Sequence, residues 1–392
     1  MKKLKILSIV GTRPNFIKIA ALQDVFHKHP LIAAKILHTG QHYDENMSSV
    51  FFRELNIPKP HFFLNVNTGS PTWQQAKIML KFESILKSER PDLVLVVGDV
   101  NATVACSMVA AHAGIKVAHI EAGLRSEDRS MPEEINRILT DAISEDLFVT
   151  EPSGRSNLLR EGKKEKNIHS VGNVMIDTLV KYYPRIKRKT ILKKLGIKSK
   201  DYILITIHRP SNVDKKSSLL KIIRLIQQLA IYKKVVFPIH PRTRKSSVRH
   251  GLNNELENIN KLYLLDPQPY LSFLHLMDNA SLVITDSGGV QEETTFMKIP
   301  CLSIRKSTER PITIETGTNI LIKEFTVQNI MIQIQAILNG ETKKGEIPAL
   351  WDGHAAKRIT QILLKKYMSN GIQVIPSVNK TSDKNIQNIE NC

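Results

Sequence analysis

Short, continuous apolar runs recur along the chain, separated by longer stretches in which apolar and polar residues alternate at helical spacing. Runs at 5–10, 34–38, 93–97, 117–120, 147–150 and 169–171 predict one set of strands. Runs at 202–207, 235–239, 262–265, 282–285 and 301–304 predict a second. A half-exposed strand would show a polar residue at every other position. These runs do not, so they predict strands covered by helices on both faces, as in parallel sheets. The βαβα rhythm occurs twice, which gives two doubly wound α/β domains. The break is expected near 172–177, ahead of a basic stretch from Lys181 to Lys200. This assigns 1–172 to a first domain and 173–353 to a second. The amphipathic stretch 354–367 predicts a helix that returns to complete the first domain. Residues 368–392, polar and without period, read as a disordered tail. Ligands of such folds bind beyond the carboxyl ends of the strands, so the cleft between two facing domains is the expected site.

Bulk properties narrow the class. A chain of 392 residues exceeds one ordinary core. No apolar run approaches the roughly 20 residues needed to span a bilayer. The basic, apolar start at Met1-Lys2-Lys3-Leu4 passes directly into Gly11-Thr12-Arg13-Pro14 without a small-residue cleavage site. It therefore reads as a first strand, not a secretory leader. Cys106, Cys301 and Cys392 lack metal-ligand spacing, which fits a reduced, cytoplasmic protein without a metal site. The formal charge of +19 raises the possibility of a nucleic-acid partner. Its basic residues are scattered, however, with no zinc-finger spacing and no aromatic stacking run. A solvated, lysine-rich surface accounts for the charge, with neither nucleic acid nor membrane as partner.

The candidate chemistry gathers at predicted strand ends. Thr285-Asp286-Ser287-Gly288-Gly289 links an apolar run to a helix that continues through Val290-Gln291-Glu292-Glu293. Unpaired backbone N–H groups and the positive end of a helix dipole meet there and make an anion site, most simply for phosphate. Ser287, Gly288 and Gly289 let the backbone approach such a ligand, and Glu293 is placed to accept hydrogen bonds from a ribose. Arg13, at the end of the first run, suits bidentate contact with a diphosphate; Arg310, in Thr308-Glu309-Arg310-Pro311, is a second candidate. Lys18 lies on the first helical turns, where an exposed, solvating lysine is the alternative.

Three carboxylates follow the first set of strands: Asp99 after Gly98, Glu121 in His119-Ile120-Glu121, and Glu133 just after Pro132. Each alone could cap a helix or pair with Arg125 or Arg137. Together at one sheet edge they point to proton transfer, since crowded carboxylates raise one another's pKa. His208, in His208-Arg209-Pro210, ends a strand of the second set and is a further acid–base candidate. His240, in His240-Pro241-Arg242, would shape the wall of the site.

These residues fall into an ordered pattern. Gly11-Thr12-Arg13-Pro14 with Lys18, Thr39-Gly40-Gln41-His42, Gly98-Asp99, His119 to Arg125, Pro132 to Arg137, His208-Arg209-Pro210, Asp286 to Glu293 and Thr308 to Pro311 all carry it. On these motifs the sequence resembles the non-hydrolysing UDP-N-acetylglucosamine 2-epimerases, whose two Rossmann-like domains form the GT-B fold. The resemblance implies that UDP is held mainly by the second domain, through Ser287, Gly288, Gly289, Arg13, Arg310 and Glu293. It implies elimination of UDP across C1–C2 to a 2-acetamidoglucal and re-addition after protonation on the other face. Asp99, Glu121, Glu133 and His208 would form the acid–base set, with no nicotinamide or other cofactor and with a homodimeric enzyme. Epimerases of 2,3-diacetamido uronic acid UDP sugars, hydrolysing epimerases and GT-B glycosyltransferases are the alternatives.

Overall fold

Runs of Val, Ile and Leu suit the pleated, doubly covered environment of a parallel strand, and they build two sheets. The computed structural model describes residues 2–40, 52–67 and 69–368 of the chain. The Gln41-His42 motif and the polar tail from residue 369 onward lie outside the described residues. The chain divides into two compact units. The first contains residues 1–125, 129–181 and 349–392, and the second 126–128 and 182–348. The main division thus falls inside the helix Val174–Lys187 and not ahead of it.

The first unit holds seven strands: β1 (Leu4–Val10), β2 (Ile32–His38), β3 (Phe62–Phe63), β4 (Leu93–Val97), β5 (Lys116–Ile120), β6 (Asp146–Val149) and β7 (Ile168–Ser170). They lie in the order β3-β2-β1-β4-β5-β6-β7, every neighbour parallel. The second unit holds β8 (Tyr202–Thr206), β9 (Lys234–Pro238), β10 (Leu262–Leu265), β11 (Leu282–Thr285), β12 (Cys301–Ile304) and β13 (Asn319–Ile322). Its order, β10-β9-β8-β11-β12-β13, repeats the same plan, again all parallel. Two Rossmann-like sheets result, each with a switch point where the strand order reverses: between β1 and β4, and between β8 and β11. Central strands are covered on both faces, and all five residues of β4 are buried. The edge strands β3 and β13 escape sequence reading because they are short and half-exposed, so their periodicity carries little signal.

The returning helix spans Ala355–Met368 and packs on β1 and on the helix Arg13–Lys28. Asp177 caps it, accepting from the Ala355 and Ala356 N–H groups at 3.1 and 2.7 Å. Trp351, just ahead of it, is fully buried and donates its indole N–H to the Thr150 carbonyl. Cys106 and Cys301 are buried, unbridged core residues. Among the described residues no helix is long and apolar enough to cross a membrane.

Candidate active site

At the first switch point, one side chain ties the elements together. Asn15 Oδ1 accepts from the Gly11 and Thr12 N–H groups and from the Thr12 hydroxyl, while its amide donates to the Val97 carbonyl that ends β4. This fixes the start of the helix Arg13–Lys28 against the neighbouring strand. Arg13 occupies the first position of that helix and is half-buried. One turn on, Lys18 is 6% exposed, which rules out a solvating role. Its ammonium meets Glu121 Oε2 at 2.5 Å, with both side chains buried.

Glu121 follows β5 with φ +70, a left-handed conformation rarely adopted by a residue with a side chain. The turn sends both the Glu121 and Ala122 N–H groups to the Phe148 carbonyl of β6. Backbone held so far from its preferred region is characteristic of functional sites. Gly98 makes room for the ion pair: a Cβ there would stand 3.2 Å from Lys18 Nζ and 3.6 Å from Glu121 Oε2.

Asp99 is paired differently. Arg137 Nη1 donates to Asp99 Oδ2 and Nη2 to Glu134 Oε2, each at 2.6 Å, and Asn136 holds the Asp99 carbonyl. The helix Pro132–Ile143 that supplies these groups is turned inside out. Glu134, Asn136, Arg137, Thr140 and Asp141 are buried, while Ile135 and Leu139 face outward, each 46% exposed. Glu133 is exposed in the first turn and takes part in neither pair. Asp99 and Glu121 each face a cation, because Arg137 and Lys18 reach them from the flanking helices.

The second switch point is tied by Asp286, which follows β11. Its carboxylate accepts from the His208 and Arg209 N–H groups beyond β8 and from the Asn212 amide. His208 Nδ1 lies 3.2 Å from Asp286 Oδ1, and the His208 side chain remains about one-third exposed. Its ring stacks on His240, centroids 4.8 Å apart. His240 in turn caps the helix Pro241–Arg249 by accepting from the Arg242 N–H.

Ser287 caps the helix Gly288–Phe296 by position only, without a side-chain bond. Gly288 leaves room for two side chains: a Cβ would come within 2.5 Å of Arg310 Nη1 and 2.8 Å of Glu309 Oε1, and they would have to shift. Gly289 is the second residue of that helix. Arg310 is buried, with Nε 2.8 Å from Glu292 Oε1 and Nη1 on Glu309. Its guanidinium thus sits beside the helix start with its charge matched by two carboxylates. Glu293 is buried farther along and accepts from the Tyr270 hydroxyl at 2.8 Å. Burial pushes its pKa up to about 8; the Tyr270 bond opposes this and Glu292 adds to it.

Asn15, Arg137, Asp141, Tyr270 and Asp286 were not singled out from the sequence as site residues. The usable signal for two of them was the period of the Pro132–Ile143 helix, where polar residues recur at helical spacing beside an equally regular apolar stripe. Among the described residues no cluster of three His, Cys, Asp or Glu side chains is arranged to hold a metal ion.

Residues 24–364 match the family model for UDP-N-acetylglucosamine 2-epimerase. A UDP-N-acetylglucosamine 2-epimerase homolog of Methanococcus maripaludis is 45% identical over 332 residues, covering 83% of this chain and 92% of its own. The UDP-N-acetylglucosamine 2-epimerase of Methanocaldococcus jannaschii is 40% identical, over 92% of this chain and 99% of its own. The crystal structure of a Methanocaldococcus jannaschii UDP-GlcNAc 2-epimerase, in complex with UDP-GlcNAc and UDP, superposes with a TM-score of 0.86 at 41% identity, covering 92% and 99% of the two chains. With both sheets in Rossmann-like order and the motif residues at their switch points, the chain belongs to the UDP-N-acetylglucosamine 2-epimerase family.

Proposed function

We propose that this chain interconverts UDP-N-acetylglucosamine and UDP-N-acetylmannosamine. A base removes the C2 proton as the C1–O bond breaks and UDP leaves with the bonding pair, giving a 2-acetamidoglucal. A proton is then delivered to the opposite face of C2 while a diphosphate oxygen of UDP re-forms the bond to C1. The observation that carries this reading is the buried Lys18–Glu121 pair beside Gly98-Asp99, at the switch point of the first sheet. An ammonium against a carboxylate provides one group that can donate a proton and one that can accept it. Asp99, Glu121, Glu133 and His208 form the acid–base set. Asp286 holds His208 by its Nδ1 side.

The leaving group needs stabilisation as charge develops on UDP. The N–H groups that open the Gly288–Phe296 helix supply it, together with Ser287, Arg310 and Arg13. Glu293 receives the ribose, and His240 shapes the wall through its stack on His208. Replacing Arg310 with Ala is expected to weaken UDP binding; unchanged affinity in calorimetry would remove it from this role.

The enzyme acts as a cytoplasmic homodimer in this reading. Support for the dimer comes from the inside-out Pro132–Ile143 helix. It presents Ile135 and Leu139 outward, and the two helices packed in succession before it expose Met108, Trp73 and Leu80. Exposed apolar side chains on three helices packed in succession fit an interface between two copies. Changing Ile135 and Leu139 to Lys is expected to give a monomer in sedimentation analysis.

The activity is tested by incubating the protein with UDP-N-acetylglucosamine in deuterated water and following the sugar by proton NMR. The expected product is UDP-N-acetylmannosamine deuterated at C2. Free N-acetylmannosamine with UDP would instead identify hydrolysis, and an unchanged spectrum despite UDP binding would overturn the choice of sugar.

A further inference from the structure

Beyond the last paired residues of β4 and β5, Val97 and Ile120, one backbone bond remains between the strands, from the Gly98 N–H to the Ile120 carbonyl at 3.0 Å. Yet the next residues, Gly98-Asp99 and Glu121, carry the chemistry proposed above. A buried chain of side-chain bonds adds a second tie between these two strand ends. His119, the fourth residue of β5, is 0% exposed. Its Nε2 lies 2.8 Å from the Gly98 carbonyl, and its Nδ1 lies 2.6 Å from Asp141 Oδ1. Asp141, also 0% exposed, uses Oδ2 to accept from the Gly123 N–H at 3.0 Å and from Arg125 Nη2 at 2.7 Å. The relay therefore runs from the residue before Asp99, through two side chains, to the second residue after Glu121.

We propose that His119 and Asp141 are positioning residues. They fix the two strand-end backbones so that Asp99 and Glu121 are held in place for proton transfer at C2. Three features favour this over a passive core role. His119 meets a polar partner on each side, the Gly98 carbonyl and the Asp141 carboxylate, so its ring is held from both ends. An apolar pair of similar volume would fill the same space without the desolvation cost of buried polar groups. Finally, Glu121 has φ +70, a left-handed conformation disfavoured for a residue with a side chain. Such backbone persists only when its surroundings over-determine it. Burial alone would raise the Asp141 pKa, but His119, Arg125 and the Gly123 N–H outweigh it and hold the carboxyl below its ordinary range.

This inference rests on the epimerase reading, so the test needs one readout independent of turnover. His119→Leu removes both bonds at similar volume, while His119→Gln retains an N–H that can reach toward Gly98. The leucine variant is expected to lose roughly 10²-fold in kcat, the scale of a small misplacement of reacting groups. Its KM and its affinity for UDP should stay within about twofold, and His119→Gln should recover most of the loss. Peptides covering 97–102 and 120–125 should exchange amide hydrogens at least about tenfold faster in His119→Leu, with the rest of the first unit unchanged. Unchanged exchange in these peptides overturns the proposal whether or not the wild type epimerises. A normal kcat, or a fall in UDP affinity parallel to kcat, also overturns it. Should the leucine variant fail to fold, Asp141→Asn carries the same test with the same expected split.

Discussion

The two halves of this protein use one topology for two kinds of chemistry. Each has its sheet reversal between the first and fourth strands of its set, and each closes that point with one polar side chain: Asn15 in the first, Asp286 in the second. Around Asn15 the site is made of long charged side chains in buried pairs, Lys18 with Glu121 and Arg137 with Asp99 and Glu134. Around Asp286 it is made of a glycine-opened helix, a stacked histidine pair and one arginine already matched by two glutamates. The first arrangement is suited to moving protons and the second to holding an anion. The strand order is common to both, so the difference lies wholly in what the strand ends carry.

The largest expected effect breaks the first half alone. Asp99→Asn and Glu121→Gln should each lower kcat by roughly 10² to 10⁴, the range for a positioned acid or base. UDP affinity, measured by calorimetry, should be unchanged. If either variant loses UDP binding and turnover together, the division of labour is wrong. The converse test is Gly288→Ala. The added methyl group would stand 2.5 Å from Arg310 Nη1 and 2.8 Å from Glu309 Oε1, so the arginine must move. Overpacking of this kind costs about 1–3 kcal/mol, which predicts UDP binding weaker by roughly tenfold to a hundredfold. Turnover at saturating substrate should be much less affected.

The sequence makes much of this comparison legible, but unevenly. Doubly covered strands such as Leu93–Val97 stand out because every residue is apolar, and the residues after them fall at strand ends by simple counting. The turn from strand to helix at Ser287-Gly288-Gly289 is equally plain, since the glycine pair closely follows an apolar run and opens the next helix. What remains hidden is pairing. The sequence offers Arg137 as one of two partners for any of three carboxylates but does not choose among them, because a polar helix face is ordinarily assigned to solvent. In the helix Pro132–Ile143 that rule is inverted, and Arg137 turns inward to pair with Asp99 and Glu134. Lys18 illustrates the same gap: its burial follows from the tertiary position of Glu121, which lies 103 residues away in sequence.

Next in size is a pH response that separates the halves. Each contains a buried carboxyl with a raised pKa: Asp177 at about 6 in the first unit and Glu293 at about 8 in the second, burial being the main cause of both. A raised folded-state pKa means that the folded form binds the proton more tightly than the unfolded chain. The contribution to stability is therefore complete below the ordinary carboxyl range and is lost as pH rises through the folded value. Asp177 has completed most of this loss by pH 6.5, whereas Glu293 is still in its window between 6.5 and 8.5. Hydrogen exchange, corrected for intrinsic rates, should show the second unit loosening across that interval while the first does not. Glu293→Gln, which keeps a partner for Tyr270, should abolish the difference; an unaltered loss in that variant would assign the effect elsewhere.

The smallest effect concerns His240 of the second half. It does two things at once, capping the helix Pro241–Arg249 and stacking on His208. Alanine would remove both, and the lost cap alone should cost about 1 kcal/mol of stability. Asparagine separates the two, since it is among the best N-caps but offers no ring. His240→Asn should therefore melt close to the wild type, while kcat falls by a few-fold as His208 loses the surface that limits its rotation. A histidine held only by Asp286 would leave kcat untouched in the asparagine variant. In that case the second half would orient its histidine as Asn15 secures the first, through a single polar side chain at the point where the sheet reverses.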